Sequence, residues 1–371
     1  MTTERRDIET DPQTTEEREV EEQKVLGAAG AALGLGKDRL QAIRLPGHAS
    51  ARTYYRVRSG PRPTSTSVVV MVLPPEAGKG EEVGSDAVGE ELPFITVQRY
   101  LNELGVRVPR ILAFDEEQGL MVLEDLGDTT MEEALKAGGE PARKSLYGRA
   151  VDQLAFMRVM AERSPRPGEL PFTRTFDYEL LRWELDHFKE WLLEEDRKAV
   201  LGPAESAVVT GAFDEIATRL AGLPRGLTHR DYQSRNLMVI PGELAVIDFQ
   251  DALMGPMVYD LVALLRDSYV RLDRSFIDSM LDRYCDARRA LGGSAVDREE
   301  LDAEFDLQTV QRKLKDAGRF IFIDRVKKNP DFLPNVGVSL SYVAEALSRM
   351  PEYRRLHGIL ASHVPELGSV G

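Results

Sequence analysis

Between Thr228 and Asp251 the chain reads THRDYQSRNLMVIPGELAVIDFQD, its densest gathering of residues able to do chemistry. His229, Arg230 and Asp231 are consecutive, Asn236 lies five positions after Asp231, and Asp248 lies twelve after Asn236. Phosphoryl transfer accounts for these types together. One Asp accepts the proton of an attacking hydroxyl, while an Asn and a second Asp offer oxygen ligands to Mg2+, which neutralises charge on the moving phosphoryl group. Leu237 to Ile240 and Leu244 to Ile247 read as short strands on either side of a Pro241-Gly242 turn. A hairpin there would bring Asp248 back to Asn236. The competing chemistry, a His/Asp/Asp metal hydrolase, lacks a second histidine at ligand spacing.

The elements that must hold this cluster fall into two groups. From residue 40 to about 124 the pattern is strand-like: Arg52 to Arg58 (RTYYRVR) and Ser67 to Leu73 (SVVVMVL) are rich in β-branched and aromatic residues, with a Gly/Pro/Ser turn cluster between them. Short apolar runs follow at Ile111 to Phe114 and Leu120 to Glu124. Ahead of them Phe94, Val97, Tyr100, Leu101 and Leu104 recur at helical spacing, so this region predicts a small sheet with one helix. Beyond Asp125, amphipathic periodicity predicts helices over Arg149 to Arg163, Tyr178 to Glu195, Ala204 to Leu220, Asp260 to Val270, Phe276 to Leu291 and Val338 to Arg349. Residues 1–24 hold nine Asp/Glu, four Lys/Arg and three apolar anchors, which predicts a solvated acidic tail entering a helix near Val25 to Leu35. The glycines of Gly27 to Lys37 fail as a nucleotide loop, because no strand precedes them and Asp38 stands where Ser or Thr is needed.

The spacing His-Arg-Asp-x4-Asn, then strand, turn, strand and Asp248-Phe249-Gln250, matches the catalytic and metal loops of protein kinases. In that setting His229 reads as a brace for the loop. The chain further resembles the aminoglycoside-phosphotransferase-like small-molecule kinases. Within them it is most similar to the N-acetylmuramate/N-acetylglucosamine anomeric kinases of peptidoglycan recycling. Segments from about residue 44 to 350 carry the likeness, among them Gly47-His48-Ala49-Ser50, Leu123-Glu124-Asp125-Leu126-Gly127, Phe176-Asp177-Tyr178-Glu179, DFQDALMGPMVYDLVALLRD and Gln311-Arg312-Lys313-Leu314-Lys315 with Gly318. The resemblance implies an α+β, bilobal protein-kinase-like fold, with a small β-rich N-lobe over 25–124 and a larger helical C-lobe over 125–371. It implies ATP and Mg2+ as cofactors, Asp231 as catalytic base, and Asn236 and Asp248 as metal ligands. Gly47, Ser50 and Arg52 would lie in the loop over the ATP phosphates, and the backbone from Glu124 to Leu126 would meet the adenine. Asp260, Arg266 and Asp267 read as structural ties. Asp177, Arg182 and Glu184 are the sugar-binding candidates, and Asp251 is an added metal or sugar contact or a helix-start carboxylate. The chain departs from the family at His48, where an Asp is usual, at Val72, where related kinases carry Asp, and on Ser67 to Leu73, which holds no lysine for ATP. Arg52, Arg56 or Lys79 must then supply that charge.

Composition narrows the alternatives. The 371 residues carry 48 basic against 62 acidic side chains, a formal net charge of −14, which disfavours nucleic acid and anionic membranes as partners. No apolar run approaches a membrane span, and MTTERRDIETDPQ has no apolar core of a secretory signal. A single cysteine, Cys285, precludes an internal disulfide. These features predict a cytoplasmic enzyme with no evident obligate protein partner, and the resemblance implies a small-molecule sugar substrate. Two other functions stay open: a kinase of the same fold for an aminoglycoside or amino alcohol, and a catalytically silent nucleotide-binding regulator.

Overall fold

The computed structural model describes residues 15–46, 52–60, 66–74 and 91–368. The described residues group into two compact units, those within 1–77 and 109–125, and those within 78–108 and 126–371.

The first unit is a helix on a sheet. Helix α1 (Thr15–Leu33) is followed by β1 (Gln41–Arg44), β2 (Thr53–Arg58) and β3 (Ser67–Val72). Two later strands, β4 (Ile111–Asp115) and β5 (Leu120–Glu124), complete an antiparallel sheet in the order β1-β2-β3-β5-β4. Alternation along the strands sends Tyr55 and Val57, Val68 and Val70, and Leu120 and Val122 into one buried cluster. Val25, Leu26 and Ala29 of α1 cover it. The helix as described therefore begins at Thr15, ten residues ahead of the expected Val25, within the stretch read as an acidic tail. Its first ten residues are nearly all polar, so periodicity gave no signal, and the tertiary contact three turns later holds the helix together. It ends at Gly34, whose φ of +66° suits glycine, and the Leu35 N–H closes back on the Gly30 carbonyl at 3.0 Å in a Schellman cap.

The second unit begins with α2 (Pro93–Glu103), which sequence patterning had grouped with the sheet. Its apolar stripe explains the difference. Phe94 meets Phe249 at 4.8 Å between ring centroids, and Tyr100 meets Phe172 edge-on at 5.2 Å. The unit continues with α3 (Met131–Ala137), α4 (Glu140–Arg163), α5 (Tyr178–Phe188), α6 (Pro203–Ala221), β6 (Arg225–Thr228), β7 (Leu237–Ile240), β8 (Glu243–Val246) and β9 (Leu253–Pro256). Then come α7 (Tyr259–Leu265), α8 (Arg274–Ala290), α9 (Arg298–Lys327), α10 (Pro334–Ser348) and α11 (Arg354–His363). Past Phe188, α5 continues as a π-helical stretch over Lys189–Asp196. Helices α5, α6, α9, α10 and α11 share a large apolar core that includes Leu181, Phe188, Phe213, Leu314, Leu340 and Leu360. Helix α9, 30 residues long, has no counterpart in the sequence expectations.

Candidate active site

Two strand pairings bring the motif residues together. Thr228, the last residue of β6, pairs with Leu253, the first of β9. Leu237, the first residue of β7, pairs with Val246, the last of β8. The loop carrying Asp231 and Asn236 and the loop carrying Asp248 and Asp251 are thus pinned at both ends against each other. Asn236 is the link: its Nδ2 donates to the Asp231 backbone carbonyl at 2.8 Å and lies 3.5 Å from Asp248 Oδ2. With its amide nitrogen so placed, its Oδ1 is the atom left to accept a metal ion.

The loop from His229 to Asn236 is fastened to α3, α4, α7 and the segment just past α7, through His229, Arg230, Tyr232, Ser234 and Arg235. Asp260 of α7 accepts the N–H groups of His229 and Arg230 at 2.8 and 3.1 Å. The buried Tyr232 hydroxyl donates to the Ala150 carbonyl of α4 at 3.0 Å. Asp267, just past α7, accepts the Ser234 N–H at 3.0 Å, and Arg235 pairs with Glu132 of α3 at 2.5 Å. The His229 ring sits between the Ile247 carbonyl at 3.0 Å and the Asp231 N–H at 3.2 Å, so it joins the two loops as a brace. Burial pushes the Asp267 carboxyl up, while the hydrogen bonds from Ser234 and Tyr269 pull the other way. Arg266 pairs with Glu345 at 2.6 Å, and these contacts give Asp260, Arg266 and Asp267 the structural role expected of them.

Two of the loop residues are strained. Arg230 has φ +78° and Asp248 φ +63°, both left-handed without being glycine. Such conformations cost roughly 1–3 kcal/mol each and persist only where neighbours enforce them. What the strain secures is orientation: Asp231 stays half-exposed, with a side-chain accessibility of 46%, while Tyr232 and Ser234 beside it are buried. Asp248 is likewise exposed at its loop.

Helix α9 supplies a partner that the motif does not predict. Arg312, fully buried, reaches Asp231 Oδ1 with Nη2 at 3.0 Å and donates to the Arg230 carbonyl from Nη1 at 2.7 Å. On the same helix Gln311 donates to Glu184 at 2.7 Å, and Lys315 lies 4.0 Å from that carboxylate. Arg230 approaches Glu184 from the His229–Asn236 loop at 3.9 Å. Of the three sugar-binding candidates, Glu184 therefore belongs to the polar cluster around Asp231. Asp177 instead caps α5, accepting the Leu180 N–H at 2.9 Å, and Arg182 pairs with Asp186 and with Asp214 of α6, the latter at 2.7 Å. Both are spent on helix structure, because a side chain at a helix start or between two packed helices finds its partner locally. Asp251 shares the Gln250 amide with Asp248: Gln250 Nε2 donates to the two carboxylates at 3.2 and 2.9 Å.

The nucleotide candidates are less evenly placed. Gly47 and Ser50 lie outside the described residues, as does Lys79. Arg52 is half-buried ahead of β2. Arg56 is held by Asp125 through paired contacts at 2.8 and 2.9 Å, so its charge is already matched within the first unit. The Glu124 N–H is donated to the Arg110 carbonyl at 2.9 Å, which leaves Leu126 as the stronger candidate for a backbone donor to a purine. Among the described residues no three His, Cys, Asp or Glu side chains converge as a self-sufficient metal cage. An amide oxygen and an exposed carboxylate instead fit a hard cation that keeps some ligands from water or phosphate.

Residues 41–293 match the model of the phosphotransferase enzyme family. The chain belongs to that family. Its relatives within the family include an N-acetylmuramate/N-acetylglucosamine kinase of Neisseria meningitidis serogroup B, 31% identical over 318 residues, covering 85% of this chain and 88% of the relative. A protein of the same name from Pseudomonas aeruginosa is 34% identical over 316 residues, covering 85% and 86%. Among solved structures, choline kinase from Cryptosporidium parvum superposes with a TM-score of 0.61 at 9% identity, over 94% of this chain and 100% of that one. The phosphotransferase thus has the protein-kinase-like α+β fold, with a sheet region followed by a helical region.

Proposed function

We propose that this phosphotransferase is an ATP-dependent kinase that phosphorylates the anomeric hydroxyl of N-acetylmuramate and N-acetylglucosamine, giving the sugar 1-phosphate for reuse of cell-wall sugars. The observation that carries the reading is the Asp231–Asn236–Asp248 cluster, lying in a chain that aligns over 85% of its length with kinases named for these sugars.

In this mechanism Asp231, half-exposed and pointing out of a fastened loop, receives the proton of the sugar hydroxyl. A hemiacetal hydroxyl is more acidic than an ordinary alcohol, so one carboxylate suffices for a proton that leaves late in a loose transition state. Asn236 and Asp248 would hold Mg2+, which supplies charge neutralisation on the transferring phosphoryl group when bound. Arg52 and the Leu126 backbone are the described residues proposed to meet the nucleotide phosphates and base; Gly47 and Ser50 are proposed with them. Asp251 is proposed to contact the sugar, with the buried Glu184 ordering Arg230 and Lys315 behind it, in a polar wall that rejects analogues lacking its hydrogen-bonding groups more strongly than an apolar one. A cytoplasmic location is proposed with this function, in keeping with the single cysteine; no helix among the described residues is long and apolar enough to cross a membrane.

The test is substrate blocking with product analysis. The 1-O-methyl glycoside of N-acetylglucosamine should be inert, and the 6-deoxy sugar should still consume ATP. Phosphate found on the 6-hydroxyl would overturn the anomeric assignment and leave the kinase assignment standing.

A further inference from the structure

We propose that Arg312 is the positioning residue for the catalytic base: its guanidinium fixes both the direction of the Asp231 carboxylate and the main chain that carries it. The inference rests on the reading of Asp231 as the base. Arg312 lies 81 residues from Asp231 in sequence, near the middle of α9, and its side chain is 1% exposed. One arm of the guanidinium holds Asp231 Oδ1 at 3.0 Å and the other holds the Arg230 carbonyl at 2.7 Å. The Arg230 residue so gripped is the one at φ +78°, whose N–H is also held by Asp260 at 3.1 Å.

The energetics argue for placement over stability. Removing a guanidinium from water is expensive, and an apolar side chain of similar size in the same space would often stabilise the fold as well or better. An apolar side chain cannot hold two acceptors in one plane, which the arginine fork does. The cation is kept in place from behind. It lies 4.8 Å over the Tyr259 ring, and that ring stacks on Phe176 at 4.4 Å. Burial by itself would lower the Arg312 pKa, but contacts with Tyr259, Asp316 and Asp231 outweigh it and push it well upward, so the charge is constant.

With one carboxylate oxygen tied, rotation about the Asp231 Cβ–Cγ bond is arrested and the second oxygen keeps one direction. In a loose phosphoryl-transfer transition state the base accepts its proton late, so orientation matters more than basicity. A misplacement of about 1 Å costs on the order of a hundredfold in rate. Arg312 touches neither the nucleotide nor the sugar in this scheme, so its loss should fall on kcat and spare both KM values.

The experiment uses the full chain with ATP and N-acetylglucosamine, comparing Arg312→Gln, Arg312→Lys, Asp231→Asn and the double variant Arg312→Gln/Asp231→Asn. Arg312→Gln should lose about a hundredfold in kcat, with both KM values within about twofold of the parent. Arg312→Lys, which keeps the charge and loses the fork, should fall between. The double variant should be no slower than Asp231→Asn alone, because Arg312 acts through a carboxylate already gone. A purely structural arginine would instead add its loss to that of Asp231→Asn, and additive losses overturn the proposal. So does a loss confined to KM, or an Arg312→Gln kcat within about threefold of the parent. If Arg312→Gln does not fold, Arg312→Lys decides: an intermediate kcat at constant KM supports positioning, and a parental kcat refutes it. Near-parental turnover of Asp231→Asn is the separate result that removes the base reading itself.

Discussion

The Asn236 amide nitrogen meets the Asp231 backbone carbonyl and the Asp248 carboxylate, yet losing each aspartate side chain should disturb a different part of the reaction. Asp231→Asn removes a proton acceptor of nearly the same shape, so kcat should drop by about 10²- to 10⁴-fold while the ATP KM stays within about twofold. Asp248→Ala removes a proposed metal ligand held 3.5 Å from Asn236, so it should raise both the Mg2+ concentration needed for half-activity and the ATP KM. Magnesium titrations of the two variants under identical conditions separate them. An unchanged Mg2+ requirement in Asp248→Ala would assign that carboxylate another task. At this scale the gathering of Asp231, Asn236 and Asp248 was legible because the three are spaced along 18 residues of one strand–turn–strand segment. Arg312 was not, since a contact across 81 residues leaves no local spacing to read.

Helix α9 shows what hydrophobic patterning misses among the elements. Gln308, Gln311, Arg312, Lys313, Lys315 and Asp316 are all buried, so the polar letters that announce a solvent face elsewhere here mark the interior. They are buried because they satisfy one another and the loop that carries Asp231. Gln308 donates to Gln311 at 2.7 Å, Gln311 to Glu184 at 2.7 Å, and Lys313 to Asp316 at 2.6 Å. The helix fits against α5 at Gly318, where a Cβ would stand 2.7 Å from Phe188 Cα and 2.9 Å from the His187 carbonyl oxygen. Both neighbours are backbone, so neither can swing aside. Gly318→Ala should push α5 and α9 apart at a cost of about 1–3 kcal/mol, lowering Tm by several degrees. It should also lower kcat, because Glu184 and Arg312 ride on those two helices. Thermal unfolding with steady-state kinetics checks both effects, and a parental Tm would mean that the close approach is not holding the pair in place.

Over the whole molecule, the order of a sheet region followed by a helical one was legible from composition, because β-branched runs end near Glu124 and amphipathic helices follow. The membership of α2 was not, since an apolar stripe such as Phe94, Val97, Tyr100 and Leu101 states that it is buried without stating against what. Net charge is the property of the whole chain that bears on its proposed substrates. At −14 it opposes the approach of anions out to about a Debye length, which is about 10 Å at 0.1 M salt and longer as salt is removed. Close to Asp231 the charges are of both signs, with Arg230, Arg312 and Lys315 set among Asp231, Glu184 and Asp316. Added salt screens the long-range repulsion far more than it weakens contacts inside a buried cluster. N-acetylmuramate carries a lactyl carboxylate and N-acetylglucosamine carries no charge, while both are paired with the same nucleotide. Raising ionic strength from about 10 mM to about 150 mM should therefore increase kcat/KM for N-acetylmuramate relative to N-acetylglucosamine, with the neutral sugar cancelling every effect of salt on ATP and Mg2+. Competing the two sugars in one reaction and resolving their products reads this ratio directly. A ratio that falls with salt would mean that the cations near Asp231, and not the acidic surface, govern the approach of the anionic sugar.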